Sequence, residues 1–224
     1  KIEATRNYGA SVVLSGEDYD AASERAHEIA REEGRTYVHA FDDPMVMAGQ
    51  GTIGLEIYED LPGVETVVVP IGGGGLISGI ATALKGKDED IRVIGVQAEG
   101  ASSVAQSLEK GEVVEREGVE TIADGIATRK VGTQTFEIIR ERVDEVVTVS
   151  DSEIAVALTK LLERSKTLVE GAGAVPLAAV LFEKFDFEED EVIVPALCGG
   201  NIDLNVLTTV IMRGLIETGR YLRL

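Results

Sequence analysis

Four consecutive glycines, Gly72–Gly75, are the residues of this 224-residue chain whose type and spacing most clearly favour chemistry. They follow the apolar run 64–71, which predicts a strand buried on both faces, and they precede the helical spacing of 76–85. Consecutive glycines let backbone N–H groups approach a ligand closely, and the N-terminus of the following helix adds positive potential. We therefore expect an anion site suited to a phosphate group, with a tight strand-to-helix turn as the alternative.

The glycine loop does not match the common nucleotide-binding motifs. A P-loop needs a Lys-Ser/Thr pair after the glycines, and none follows here. The dinucleotide pattern G-x-G-x-x-G would need a glycine where the chain has Ile77 or Ser78. Glu99 lies about as far along the chain as a ribose-binding carboxylate would, so dinucleotide binding stays an alternative. A single terminal phosphate on a compact cofactor fits the loop better.

Two other polar side chains occur in glycine-rich surroundings. Cys198 ends a predicted strand and precedes Gly199-Gly200-Asn201, where a small side chain can reach a bound ring. A lone cysteine is more often a small core residue, so the alternative hypothesis is that Cys198 is only structural. Glu170 lies in the stretch Leu168–Ala174, where apolar neighbours can perturb the pKa of a carboxylate. Its alternative is an exposed glutamate at a helix end.

Predicted strands and helices alternate along the chain, which favours a mainly parallel sheet covered by helices. Such sheets bind ligands at the carboxyl ends of their strands, where the glycine loop and Cys198 lie. A turn is predicted at Asp42-Asp43-Pro44. The Ser150–Glu153 capping box opens a helix that Gly171–Gly173 interrupts. The other predicted elements are strands at 10–15, 36–41, 64–71, 91–99, 144–150 and 191–198, and helices at 18–33, 48–59, 76–85, 102–110, 174–185 and 205–218.

The charge balance is strongly acidic. The chain has 40 Asp and Glu against 21 Lys and Arg, a formal net charge of −19, and among the cations 13 are Arg and 8 are Lys. Such a protein is repelled by nucleic acids and anionic membranes, so neither is an expected partner. An acidic surface with few lysines also suits concentrated salt, so we expect a halophilic protein, with an ordinary acidic enzyme as the alternative.

Nothing in the sequence predicts export or a membrane span. No apolar run approaches the roughly 18–20 residues that cross a bilayer, and Lys1–Arg6 lacks the pattern of a secretory signal. The single cysteine excludes an internal disulfide framework. A cytoplasmic location is the expectation.

Several separate motifs together resemble the fold-type II pyridoxal-phosphate enzymes, and within them the threonine dehydratases, serine dehydratases and serine racemases. The resemblance extends from near Lys1 to Leu224. The stretches that carry it are His39–Pro44, Ala48–Ile53, Gly72–Leu76, Thr121–Gly125, Leu168–Ala174 and Cys198–Asn201.

The resemblance implies an α/β fold like that of the tryptophan synthase β subunit, incomplete at the N-terminus. Residues 1–47 would be a remnant of a small domain, and residues 48–224 the large pyridoxal-phosphate-binding domain. The family's Schiff-base lysine lies in an S-x-K-x-R-G-A-like stretch, which this sequence does not contain. We therefore expect the chain to be inactive alone and the complete enzyme to be a homo-oligomer.

The resemblance also assigns roles residue by residue. The N–H groups of Gly72, Gly73, Gly74, Gly75 and Leu76 would hold the phosphate of pyridoxal 5′-phosphate. Cys198 would face the pyridine nitrogen as a neutral partner, and Gly125 would lie near the ring. Glu170 would be the catalytic acidic residue, acting electrostatically or as a proton relay.

The implied reaction is an α,β-elimination on a small amino-acid substrate, with L-threonine giving 2-oxobutanoate and ammonia. L-serine would give pyruvate by the same chemistry. The alternatives are a serine racemase, a threonine synthase or a non-catalytic cofactor-binding remnant. No metal is expected, because the positions that match the divalent site of serine racemase-like relatives are Gln97, Ala101 and Ser103, which lack the carboxylates a hard cation prefers.

Overall fold

The computed structural model describes residues 2–16 and 19–222. These form two compact units, one that ends at Val38 and one that begins at His39. The division lies N-terminal to the predicted domain boundary at 47/48, which falls inside a helix of the second unit. The assignment of the two parts to a small and a large domain stays a prediction.

The first unit is helical in its described residues. It contains α1 (Ile2–Asn7) and α2 (Tyr19–Glu33). Gly34 ends α2 with a φ of +64°, and Arg35 N–H bonds to the Ala30 carbonyl as in a Schellman cap. The predicted helix 18–33 is therefore confirmed from Tyr19 onward, while Asp18 lies outside the described residues.

The predicted strands 10–15 and 36–41 are wrong. Both segments are irregular, and Val13, Leu14 and Val38 are 60%, 69% and 71% exposed. Their β-branched residues have the right propensity, but a strand forms only where a neighbouring strand takes up its backbone hydrogen bonds. Within the described residues, the strands all belong to the second unit.

The second unit is built on a four-stranded sheet whose strands all run parallel. The strand order is β3-β2-β1-β4. Each strand lies inside a longer predicted one, which confirms the expected α/β class with a mainly parallel sheet. The strands are β1 (Thr66–Pro70), β2 (Arg92–Ala98), β3 (Glu145–Val149) and β4 (Ile193–Pro195).

Helices cover both faces of this sheet. Val67 and Val69 of β1 point into one apolar core and Val68 into the other, because successive side chains alternate across a strand. The first core contains α4 (Gly75–Lys85) and α6 (Thr133–Arg142), and α3 (Pro44–Asp60) packs outside α4. The opposite core contains α7 (Asp151–Lys160), α8 (Gly171–Leu181) and α9 (Leu204–Glu217). Helix α5 extends over Ser103–Lys110.

Two helix boundaries differ from the predictions for identifiable reasons. Helix α3 begins at Pro44, because the Asp43 carboxylate accepts the N–H groups of Met45 and Val46 and Pro44 suits the first helical turn. The predicted turn at Asp42-Asp43-Pro44 is therefore a helix start. Helix α8 begins at Gly171, so the predicted start at 174 is also wrong. The break lies earlier, after a π-helical turn and Lys166, whose φ is +58°.

Helix α6 is absent from the predicted elements. Its own N-terminal neighbour is Gly132, which supplies no side-chain cap. The cap comes instead from Asp42, about ninety positions earlier, whose carboxylate accepts the N–H groups of Thr133, Gln134 and Thr135. In the described residues, no helix combines the length and apolarity that a membrane span needs.

Candidate functional site

The strand order places a topological switch point between β1 and β4. The chain leaves β1 through α4 to reach β2 on one side, whereas β4 pairs with β1 on the other side. Open parallel sheets bind ligands at such a point, beyond the carboxyl ends of the strands. The segments that follow these two strands are the glycine loop and the stretch that contains Cys198. The structure thus brings the two predicted motifs to the same edge.

Five consecutive N–H groups of the glycine loop are available as hydrogen-bond donors. Among the described residues, the N–H groups of Gly72–Leu76 have no protein acceptor. Gly74 has a φ of +97° and is the N-cap of α4. The N-terminal turn of α4 adds its partial positive charge to these donors. This donor set fits a phosphate group.

The other side of the loop is closed by protein. A Cβ at Gly73 would lie 2.4 Å from the Phe41 ring, and one at Gly74 would lie 2.8 Å from Thr135. A Cβ at Gly72 would lie 3.0 Å from the backbone of Ile126. The glycines therefore permit close packing behind the loop, while the N–H groups keep their hydrogen-bonding capacity. Every helix start leaves its first N–H groups unpaired, so Gly72 and Gly73 are the donors that a plain strand-to-helix turn does not explain.

Glu170 and the stretch after β4 are joined by two hydrogen bonds. Asn201 N–H donates to Glu170 Oε2 over 3.1 Å, and Glu170 N–H donates to the Gly199 carbonyl over 3.2 Å. Glu170 is half-buried at the N-terminus of α8. The position was predicted, but the pairing with Asn201 was not.

Gly125 lies against this carboxylate. A Cβ at Gly125 would be 2.7 Å from Glu170 Oε1, and one at Gly199 would be 2.5 Å from the same oxygen. Gly125 is followed by Ile126, which packs behind Gly72. The predicted residues Gly125, Glu170 and Gly72 therefore belong to one continuous cluster.

Cys198 is half-buried and follows β4 at the switch point. Burial raises the pKa of its thiol above the ordinary value. The side chain is therefore a neutral thiol at neutral pH. It can form a weak hydrogen bond with a ring nitrogen and adds no charge beside it.

Asp151 positions the segment that leads to Gly125, and no sequence motif pointed to this residue. Its Oδ1 accepts the Thr121 hydroxyl over 2.6 Å and the Ile122 N–H over 3.2 Å. Thr121 Oγ1 in turn accepts the Ala123 N–H over 3.1 Å. Only the Thr121–Gly125 motif hinted at this anchoring, because the partner is some thirty residues away.

Of the three positions considered above for a divalent cation, Gln97 and Ala101 are joined by an amide hydrogen bond, whereas the buried Ser103 hydroxyl has no partner among the described residues. Gln97 is fully buried, and its Nε2 donates to the Ala101 carbonyl over 3.0 Å. Its Oε1 accepts the N–H groups of Val104 and Ala105, each over 3.0 Å. An amide nitrogen directed at the carbonyl does not fit a hard cation, which needs oxygen ligands there.

Comparisons with a family model and with individual known proteins point to the same family. The family model described as "Pyridoxal-phosphate dependent enzyme" matches residues 1–199. An L-threonine ammonia-lyase from Geobacter sulfurreducens is 53% identical over 225 residues, which cover 100% of this chain and 56% of the relative. One from Thermotoga maritima is 51% identical, covering 98% of this chain and 54% of the relative.

A solved structure agrees with these sequences. The processed form of threonine deaminase isoform 2 from Solanum lycopersicum superimposes with a TM-score of 0.88 at 38% identity. The match covers 95% of this chain and 59% of that one. The chain thus spans a little over half the length of these two L-threonine ammonia-lyases.

Proposed function

Because the chain belongs to the pyridoxal-phosphate-dependent enzyme family, we propose that its protein is an L-threonine ammonia-lyase, which forms 2-oxobutanoate and ammonia. The observation that carries the proposal is the row of five free N–H donors at Gly72–Leu76, placed at the switch point of the sheet. Relatives named for this activity, at 51–53% identity, support the choice of substrate.

The glycine loop would hold the phosphate of pyridoxal 5′-phosphate through these N–H groups. When bound, this cofactor supplies an electron sink that lets an amino acid lose its α-proton. The sheet edge would then place Cys198 toward the pyridine nitrogen and Gly125 beside the ring. A neutral thiol at that position would favour an unprotonated nitrogen, and the more moderate electron sink would suit elimination of a β-hydroxyl.

Glu170 would act near the reacting atoms as an electrostatic or proton-relay group. Its Oε2 is fixed by Asn201 N–H, so Oε1 is the oxygen left to hold or accept a proton. The glycines on either side, Gly125 and Gly199, leave that oxygen accessible at close range. These roles are supported by the geometry of the cluster and by the motif resemblance.

The remaining features of the proposal extend beyond this chain. We expect L-serine as a second substrate, a homo-oligomeric enzyme in the cytoplasm, and no nucleic-acid or membrane partner. We also expect the Schiff-base lysine outside these 224 residues, so that the chain alone is inactive. The acidic composition supports adaptation to concentrated salt.

The test is a product assay on the full-length protein that carries this chain. Protein reconstituted with pyridoxal 5′-phosphate is incubated with L-threonine, and 2-oxobutanoate is quantified by chromatography. Cofactor-dependent 2-oxobutanoate is the expected result. D-serine formed from L-serine without keto acid would indicate a racemase, and cofactor binding without turnover would indicate a cofactor-binding module. Either result would overturn the proposal.

A further inference from the structure

We propose that Asp42 and Thr135 are positioning residues that fix the Gly73–Gly74 peptide and so aim the Gly74 N–H at the cofactor phosphate. The inference rests on the proposed function, since it takes the glycine loop as the phosphate site. It adds two residues that lie outside the loop and to which the sequence assigned no role in phosphate binding.

Asp42 caps the N-terminus of α6 from a distant part of the chain. Its Oδ2 accepts the Thr133 N–H over 3.0 Å, and its Oδ1 accepts the N–H groups of Gln134 and Thr135 over 2.9 and 3.1 Å. Three of the four N–H groups that a helix start leaves unpaired are thereby satisfied. A Cβ at Gly132 would lie 2.5 Å from the Asp42 carboxylate carbon, so the approach leaves no room for a side chain.

The capped helix start holds the glycine loop through a single carbonyl. Thr135 is fully buried, and its hydroxyl donates to the Gly73 carbonyl over 2.7 Å. Gly132 N–H donates to the same carbonyl over 3.1 Å. Both donors belong to the first turn or cap of α6, whose position Asp42 fixes. Asp42 therefore acts on the loop through Thr135 and Gly132.

Fixing this carbonyl also fixes the neighbouring donor. In a planar trans peptide the C=O and the following N–H point in opposite directions. With the Gly73 carbonyl directed at α6, the Gly74 N–H points away from α6, to the side where no protein group accepts it. Two donors on one carbonyl also polarise the peptide, which strengthens its N–H as a donor.

The loop has little freedom to reorient without these bonds being broken. Phe41 covers Gly73 and Gly75 on one side, where a Cβ would lie 2.4 and 2.8 Å away. Thr135 covers Gly74 from α6. The loop is thus held in a donor geometry before any anion arrives, which lowers the entropic cost of binding the phosphate.

The decisive variants change one atom group at a time. Thr135→Val keeps the shape of the side chain but removes the hydroxyl, and Thr135→Ser restores the hydroxyl. Asp42→Asn replaces one of the two accepting oxygens with an NH2 group. This group is itself a donor and cannot accept a hydrogen bond from the N–H groups of α6. Asp43→Asn is the matched control, because Asp43 caps α3 locally through one oxygen and asparagine is an equally good cap.

The measurement compares two ligands that differ only in the phosphate. Dissociation constants for pyridoxal 5′-phosphate and for pyridoxal are obtained by absorbance titration of the full-length apoenzyme, with thermal unfolding as a check on folding. Loss of one hydrogen bond of about 1.4 kcal/mol corresponds to about tenfold in affinity. We expect Thr135→Val and Asp42→Asn to weaken pyridoxal 5′-phosphate by about tenfold and pyridoxal by less than about twofold. Thr135→Ser and Asp43→Asn should bind both ligands like the parent.

Each outcome bears on the inference. An equal loss of affinity for both ligands would overturn it, because that marks a general structural role, and so would unchanged binding of both. If one variant does not fold, the other decides, because each loosens the same carbonyl by a different route. A parent protein that binds no pyridoxal 5′-phosphate would refute the proposed function instead.

Discussion

Glu170 and Asn201 lie 31 positions apart, yet a 3.1 Å hydrogen bond from the Asn201 N–H to Glu170 Oε2 joins them. The bond ties the first residue before α8 to the segment that follows β4, at the switch point of the sheet. It leaves Oε1 pointing into the space bordered by Gly125 and Gly199. We propose that this carboxylate has two separable duties, a structural one at Oε2 and a chemical one at Oε1.

Glu170→Gln separates these duties. The amide oxygen can still accept the Asn201 N–H, whereas the charge and the proton-accepting capacity are lost. We expect the kcat for 2-oxobutanoate formation to fall by about 100-fold, as for loss of a general acid–base group, while cofactor affinity stays within about threefold. The matched control is Glu99→Gln at an exposed glutamate after β2, which should leave both quantities unchanged. A Glu170→Gln enzyme with parental kcat would show that the carboxylate is only structural.

Cys198 should react slowly with alkylating reagents in the folded protein. Burial raises the pKa of the thiol, and only the thiolate reacts. At pH 8, half a unit below the ordinary value of about 8.5, we expect iodoacetamide to label the Cys198 peptide more slowly in the folded than in the urea-unfolded protein. Mass spectrometry of that peptide gives both rates. Equal rates would contradict a raised pKa.

The same shift has a defined sign in stability. The native state binds the Cys198 proton more tightly than the unfolded state does, so folding stability falls as the pH rises above about 8.5. Cys198→Ser removes this component, and urea unfolding of both proteins between pH 7 and 10 measures it. The parent curve should fall relative to the serine variant as the pH rises, and a constant difference would count against the shift.

The lowered pKa of Glu153 predicts that the folded protein loses stability as the pH falls. Burial alone would raise the pKa of this carboxyl, but hydrogen bonds from Lys184 Nζ (2.6 Å) and from the Ser150 N–H (2.7 Å) outweigh it and hold the pKa below its ordinary value. A lowered pKa contributes stability that is present above the unfolded value of about 4.3 and is lost as the pH falls through the folded value. Glu153→Gln should therefore lose about 1 kcal/mol at pH 7, and the deficit should shrink below about pH 4.

Urea unfolding at a series of pH values checks this expectation. The control is Glu163→Gln, which removes a carboxylate whose partner Arg220 is on the surface, where solvent screens the pair. That variant should unfold close to the parent at every pH. A Glu153→Gln deficit that stays constant down to pH 3 would mean that the charge is not its source.

Helices α3 and α4 offer a matched pair of glycines. A Cβ at Gly79 would lie 2.2 Å from the Met47 carbonyl, whereas one at Gly49 meets nothing within 4 Å. Gly79→Ala should therefore destabilise the protein by about 2 kcal/mol or more through overpacking. Gly49→Ala should stabilise it by about 0.5–1 kcal/mol, because alanine is the better helix former. Thermal unfolding of the two variants tests both, and equal effects would contradict the close approach of the helices.

The elements predicted correctly from the sequence are those whose signal lies in residues that are neighbours in the chain. The apolar run at 64–71 and the glycines that follow predicted β1, the loop and the start of α4, since each depends on neighbours in the chain. The helix start at 150–153 was predicted for the same reason, because both partners of a capping box lie within one turn.

Long-range relationships left no such signal. Helix α6 was missed because its cap, Asp42, is about ninety residues away, and Asp42 itself looked like part of a turn. Thr135 is one buried threonine among others until the fold places it on the Gly73 carbonyl. The strands predicted at 10–15 and 36–41 are wrong for the opposite reason. Their local propensity favours a strand, but the described residues provide no neighbouring strand to pair with them.

The acidic composition predicts that the thermal stability depends on salt at neutral pH but not near the isoelectric point. At neutral pH the formal charge of −19 makes the compact state repel itself, and KCl screens that repulsion. We expect the thermal midpoint at pH 7 to rise by several degrees, about 5 °C, between 0.01 and 1 M KCl, which corresponds to roughly 1–2 kcal/mol. Near pH 4.5, the isoelectric point calculated from the sequence, the same increase in KCl should have little effect. Calorimetry at the two pH values measures both slopes. A midpoint at pH 7 that is higher in dilute buffer than in KCl would contradict self-repulsion as the destabilising force and, with it, the expected adaptation to salt.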